Sequence, residues 1–213
     1  MSVPRWLVIT LVLAVVVIAA VRRSPVPGTP SAGLSTTGTA CALPPFLAGR
    51  DGVVQTPVSS APPIPLEGAQ AHVLAGFSVA ARVLGAERYT FDREATWSPL
   101  DLALGWGRMR DDAVLSQLSI SQGGRFFHWR SEQAPPIPVD ELTASASNMH
   151  MVPANEAIAD ALHAIDAGDA VRIDGWLIRI EAEDGWRWSS SLSREDSGAG
   201  ACELVYVCAV TRQ

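Results

Sequence analysis

The chain has 213 residues, 48% of them hydrophobic, enough for one ordinary domain with a real core and further segments. Its charge is unevenly divided: residues 1–66 carry four Arg against one Asp, net +3, while residues 67–213 carry twelve Arg against twenty-one Asp and Glu, net −9. So acidic a folded part gains nothing from counterion release on a phosphate backbone, which argues against nucleic acid as its partner.

Sixteen uncharged residues, 6–21, lie between Arg5 and the pair Arg22, Arg23. As a helix they span about 24 Å, short of a hydrocarbon core of about 30 Å, and the flanking Arg side chains can snorkel across the difference. A cleaved signal peptide is the rival reading, but no small-x-small cleavage pattern follows directly. Residues 1–23 are therefore expected to form a single-pass transmembrane anchor. The positive-inside count is nearly balanced, and the expected orientation puts the folded part in the periplasm. Residues 24–66 hold nine prolines among Ser, Thr, Gly and Ala. This composition predicts an extended, disordered spacer, with the globular domain over 67–213.

Within that domain, Phe77, Val79, Ala81 and Val83 alternate as one face of a strand. Ser98-Pro99-Leu100-Asp101 combines a Ser cap, a Pro and an early Asp, which predicts a short helix ended by Gly105-Trp106-Gly107. A second short helix is expected from Asp111 or Asp112 to Leu118, and a strand from Arg125 to Arg130. Alternation around Asn148-Met149-His150-Met151 places the two Met on one strand face, with Asn148 and His150 on the other. Ile158, Ala161, Leu162 and Ile165 follow helical spacing over 154–167, with Gly168 as the stop. A long strand kinked near Gly175, a hairpin at Asp184-Gly185 and a strand over 201–210 complete the pattern. In that last strand Cys202, Leu204, Tyr206, Cys208 and Val210 share one face; Glu203, Val205 and Val207 share the other. The fold class is α+β: an antiparallel sheet with short inserted helices, whose part over 168–210 suits a small OB-like or SH3-like barrel.

Three motifs stand out: S-P-L-D-L-A-L-G-W-G at 98–107, N-M-H at 148–150 and S-S-L-S-R-E-D-S-G-A-G-A-C-E at 190–203. In these the chain resembles a group of uncharacterised bacterial membrane-anchored proteins, over about residues 70–210. The resemblance implies one folded unit and a bacterial inner membrane as the place of the anchor, and carries no activity.

Two kinds of site are expected. The first is a binding surface on the hairpin and loop at 186–200, built from Trp186, Trp188, Arg194 and Asp196, for a protein partner or another envelope component; the alternative for Arg194 and Asp196 is an ion pair that fixes the loop. The second is catalytic: the thiol of Cys202 with His150 or His128 as base and Asn148 or Glu203 orienting the imidazole. No local signature of a cysteine hydrolase surrounds Cys202, and a packed thiol is the simpler reading. No cofactor or metal is expected, since alternation sets His150 opposite the soft ligands Met149 and Met151. A disulfide between Cys202 and Cys208 is geometrically poor, six strand residues spanning about 20 Å. Cys41 can reach either one only if the spacer folds back.

Overall fold

Twenty residues of uninterrupted strand, Ala69–Arg88, form the axis of the domain. In the computed structural model, which describes residues 35–37, 41–193 and 201–213, this strand is β4. Before it come β1 (Ser35–Thr37), β2 (Gly52–Pro57) and β3 (Ile64–Leu66). After it come β5 (Leu100–Gly105), α1 (Asp112–Leu115), β6 (Ser119–Gly123), β7 (Phe126–Arg130) and α2 (Val139–Ala144). The chain ends with β8 (Ala146–Pro153), α3 (Glu156–His163), β9 (Ala170–Ala182), β10 (Arg187–Ser189) and β11 (Glu203–Arg212). The expected anchor at 6–21 lies outside the described residues, as do Arg194 and Asp196. Among the described residues no helix is long and apolar enough to cross a membrane.

One edge of β4 pairs with β9, and the other carries β3, β2 and β5 in succession. Strand β5 pairs with β8, β8 with β11, and β11 with β9, so β4-β5-β8-β11-β9 closes into a ring. Every pairing in the ring is antiparallel except β8–β11. The molecule is thus α+β and mostly sheet, and its ring draws on strands from the whole domain, whereas a barrel over 168–210 alone was expected. Two strands and a hairpin from that segment leave too many edges open; β4, β5 and β8 pair them.

Inside the ring lie Phe77, Val79, Ala81 and Val83 of β4, with Leu102, Leu104, Met149, Met151, Ile173, Val205 and Val207. Ile158, Leu162 and Ile165 of the α3 segment pack against them. This helix starts at Asn155, whose side chain accepts the Ile158 N–H at 3.0 Å. A second apolar cluster covers the outer side of β4, β9 and β11, with Ile178, Ile180, Leu204, Tyr206 and Cys208 at its centre. Strand β11 is therefore covered on both faces. Its alternation changes phase, however: a bulge between Val207 and Ala209 turns Val210 inward with Val205 and Val207. Gly175 faces this bulge, where a Cβ would collide with the Tyr206 carbonyl; the kink near Gly175 exists because two backbones meet there.

Two expectations are corrected. Leu100 to Gly105 is a strand, not a helix: Leu100, Leu102 and Leu104 alternate into the core, and that burial outweighs the capping signals of Ser98, Pro99 and Asp101. The spacer does not run to residue 66. Strands β2 and β3 pair with β4, and Cys41 forms a disulfide with Cys208, Cα atoms 5.3 Å apart. The segment from 41 is fastened further by the Trp176 indole, which donates to the Ala42 carbonyl at 2.9 Å. The Ala48 N–H donates to Ser78 at 2.7 Å, and Ser78 donates in turn to the buried Asp174 at 2.5 Å. Proline composition signals poor core-building capacity, but an edge strand needs only backbone partners, and a bridge to β11 supplies the rest.

Candidate functional site

The residues alternating with the core side chains of β5 and β8 point outward, yet they are buried. Asp101 is 0% exposed, Asn148 2% and His150 4%. Register places Asp101 opposite His150 and Ala103 opposite Asn148, so the carboxylate of one strand reaches both polar side chains of the other. Asn148 donates to Asp101 at 3.0 Å and to the Arg125 carbonyl at 2.9 Å, while its own oxygen accepts from Gln122 at 2.8 Å. His150 Nδ1 lies 2.9 Å from Asp101 Oδ1. That approach lies off the hydrogen-bond direction, so the imidazole rests against the carboxylate with Nδ1 left unbonded.

Arg125 closes this surface from above. It sits at the tip of the β6–β7 hairpin, in a two-residue turn with Gly124, both at positive φ (60° and 71°). Such a turn calls for two left-handed residues, a conformation easy for Gly and costly for Arg. The cost is offset by what the side chain does. Its guanidinium binds Asp92 at 2.5 and 2.9 Å, Asp101 at 2.9 Å and the Ser98 carbonyl at 2.9 Å, and lies 3.8 Å from the Tyr89 ring centroid. Burial alone would lower its pKa and is the largest single influence, but Asp92 and Asp101 together outweigh it and hold the cation more firmly. Through its hydrogen bond to Arg125, Asp92 is held below the ordinary carboxylate range. Burial pushes the Tyr89 hydroxyl up.

Aromatic rings wall the far side. Trp97 and Trp186 stack at 5.5 Å, Trp188 tilts against Trp186 at 6.1 Å, and His150 lies 4.8 Å from Trp188. Arg93 covers Trp186 at 4.7 Å and pairs with Asp184 at 2.7 Å. Trp186 and Trp188 are half-buried and engaged with one another, with Trp97 and with His150, rather than forming an open pair.

Of the residues expected to act together, Asn148 and His150 do converge. The Cys202 thiol lies beside Asn148, 3.7 Å from the Arg125 carbonyl that Asn148 also meets, on the rim of a cavity of about 210 Å³ lined by Phe126, Phe127, Trp129 and Asn148, while register sets His150 opposite Leu204. Glu203 does not converge, because it faces the other side of β11, where Ser147 donates to it. His128 is exposed on β7. The carboxylate that meets the imidazole is Asp101, which the sequence reading assigned to a helix start. Its outward place in the Leu100-Asp101-Leu102 alternation was the available signal. Arg125 left only the Gly-Gly before it as a hint.

This arrangement can orient an imidazole, hold a cation near a ring surface and present half-buried indoles. No family model, curated protein or solved structure matches the chain.

Proposed function

We propose that this is a membrane-tethered binding domain, acting outside the cytoplasm on an envelope component, with the half-buried indoles of Trp186 and Trp188, at the margin of the outer face of β5 and β8, as its recognition surface. The ring order, its one parallel pair and the helix between β8 and β9 resemble the OB type of barrel, in which β4, β5, β8, β9 and β11 would be strands one to five. Barrels of that type bind ligands on strands two and three and on the loops after strands one and four. The observation that carries the reading is coincidence of place. Asp101, Asn148 and His150 lie on those strands, Tyr89, Asp92 and Trp97 follow the first strand, and Trp186 and Trp188 follow the fourth. The acidic domain disfavours an oligonucleotide, leaving carbohydrate or protein. The disulfide supports an oxidising compartment. To test it, full-length protein in detergent is offered envelope polysaccharide and envelope protein fractions. Trp188→Ala should lower capture about tenfold while leaving thermal unfolding cooperative. Unchanged capture by Trp188→Ala and Trp186→Ala would remove this face from consideration.

A second reading, a small envelope hydrolase, is favoured by the contact between Asp101 and His150 one strand away from Cys202. It requires a thiol titrating well below about 8.5. Alkylation of Cys202 as a function of pH, with and without His150→Ala, tests it: a thiol that reacts only on unfolding excludes it.

A further inference from the structure

The segment from Cys41 to Gly49, Cys-Ala-Leu-Pro-Pro-Phe-Leu-Ala-Gly, has no charge, although it belongs to an acidic domain. Pro44 and Ala48 turn inward, while Leu43, Phe46 and Leu47 are 39%, 66% and 38% exposed. These three are half of the six large hydrophobic side chains that stand exposed among the described residues. The segment is not free to fold them away. Cys41 is bonded to Cys208, the Ala42 carbonyl to Trp176, the Ala48 N–H to Ser78 and the Arg50 carbonyl to Arg110. An apolar cluster fastened this way costs solubility unless something covers it.

We infer that Leu43, Phe46 and Leu47 dock into the interfacial layer of the bilayer that holds the N-terminal anchor. The inference rests on reading residues 6–21 as that anchor. Eleven residues, 24–34, separate Arg23 from β1, which its pairing with β11 ties to the domain, and fully extended they reach no more than about 40 Å. A lipid surface is thus the apolar partner that the chain keeps within reach at all times. Chemistry agrees: an aromatic and two leucines enter the boundary between headgroups and acyl chains, and Arg50, next in sequence and exposed, meets phosphate at its edge. The contact fixes which way the barrel faces, where a loose tether would leave it turning freely.

The experiment uses the full chain in vesicles of phosphatidylethanolamine and phosphatidylglycerol, with Phe46 or Phe91 replaced by photoreactive benzoylphenylalanine. Phe91 is 100% exposed and serves as a control for exposure alone. Illumination should give lipid adducts at position 46 about tenfold above those at 91. Equal lipid adducts at both positions, or adducts at 46 only to a second copy or another protein, overturn the inference. Alkaline carbonate washing of the same vesicles separates the two failures. Protein released by the wash sinks the anchor reading and this inference with it; protein retained without the adduct at 46 sinks this inference alone.

Discussion

Strand β8 is buried on both faces, and the two faces are held by different physics. Met149 and Met151 point into the ring among Leu102, Leu104 and Phe77, where any apolar side chain of suitable volume would serve. Asn148 and His150 point the other way, as buried as the methionines, against Asp101, Arg125 and Trp188. There identity matters more than volume, because each polar group is buried with a particular partner and losing one strands another. The inner face specifies that the ring closes; the outer face specifies which side chains meet outside it, and the half-buried indoles at its margin are where recognition is proposed.

Changes on both faces sharpen this contrast. The largest effect is expected at Asp101, since Asp101→Ala leaves Arg125 and Asn148 without their shared partner. It should cost about 3–5 kcal/mol in denaturant unfolding, with Asp101→Asn losing less. Leu102→Ala, its neighbour on the inner face, should cost about 3 kcal/mol through the cavity it opens. If Leu102→Ala proves much the costlier, the outer face is not the more demanding one. Reducing the Cys41–Cys208 bridge should cost about 2–3 kcal/mol and expose the Trp176 indole to quenchers, with both faces of β8 left intact. At the hairpin tip, Arg125→Ala keeps the positive φ without its reward, so Arg125→Gly should be the more stable of the two by about 1 kcal/mol. The smallest effect is acid sensitivity. The folded pKa of Asp92 lies below its ordinary 3.8, so the unfolded chain binds more protons in that range. Its contribution is fully present above about pH 4 and is lost as pH falls through the folded pKa. In Asp92→Asn the stability profile should flatten there.

Much of this pattern is legible in one dimension. The faces of β4, β8 and the first part of β11 follow from alternation, α3 from its spacing, and the kink at Gly175 from the glycine itself. Where the reading failed, local signals competed with distant ones. Ser98-Pro99-Leu100-Asp101 has a helix-start composition, and only the partners β4 and β8 make it a strand. The proline-rich stretch before residue 67 looks like spacer because its partners, β4 and Cys208, are remote. Cys202, Asn148 and His150 were legible as candidates, and the alternation that sets Glu203 on the face opposite Cys202 was itself the signal against Glu203 as their companion.

The sequence by itself determined the period of each strand, the place of the long helix and the division between an apolar face and a polar one, because these depend on neighbours a few residues away. The tertiary structure alone decided that Asp101 meets His150, that Arg125 accepts a left-handed turn to reach both Asp92 and Asp101, and that Cys41 closes on Cys208 across 167 residues. Those pairings depend on register and on ring closure, and the free energy that fixes them comes from groups far apart along the chain, brought together only when every strand is in place.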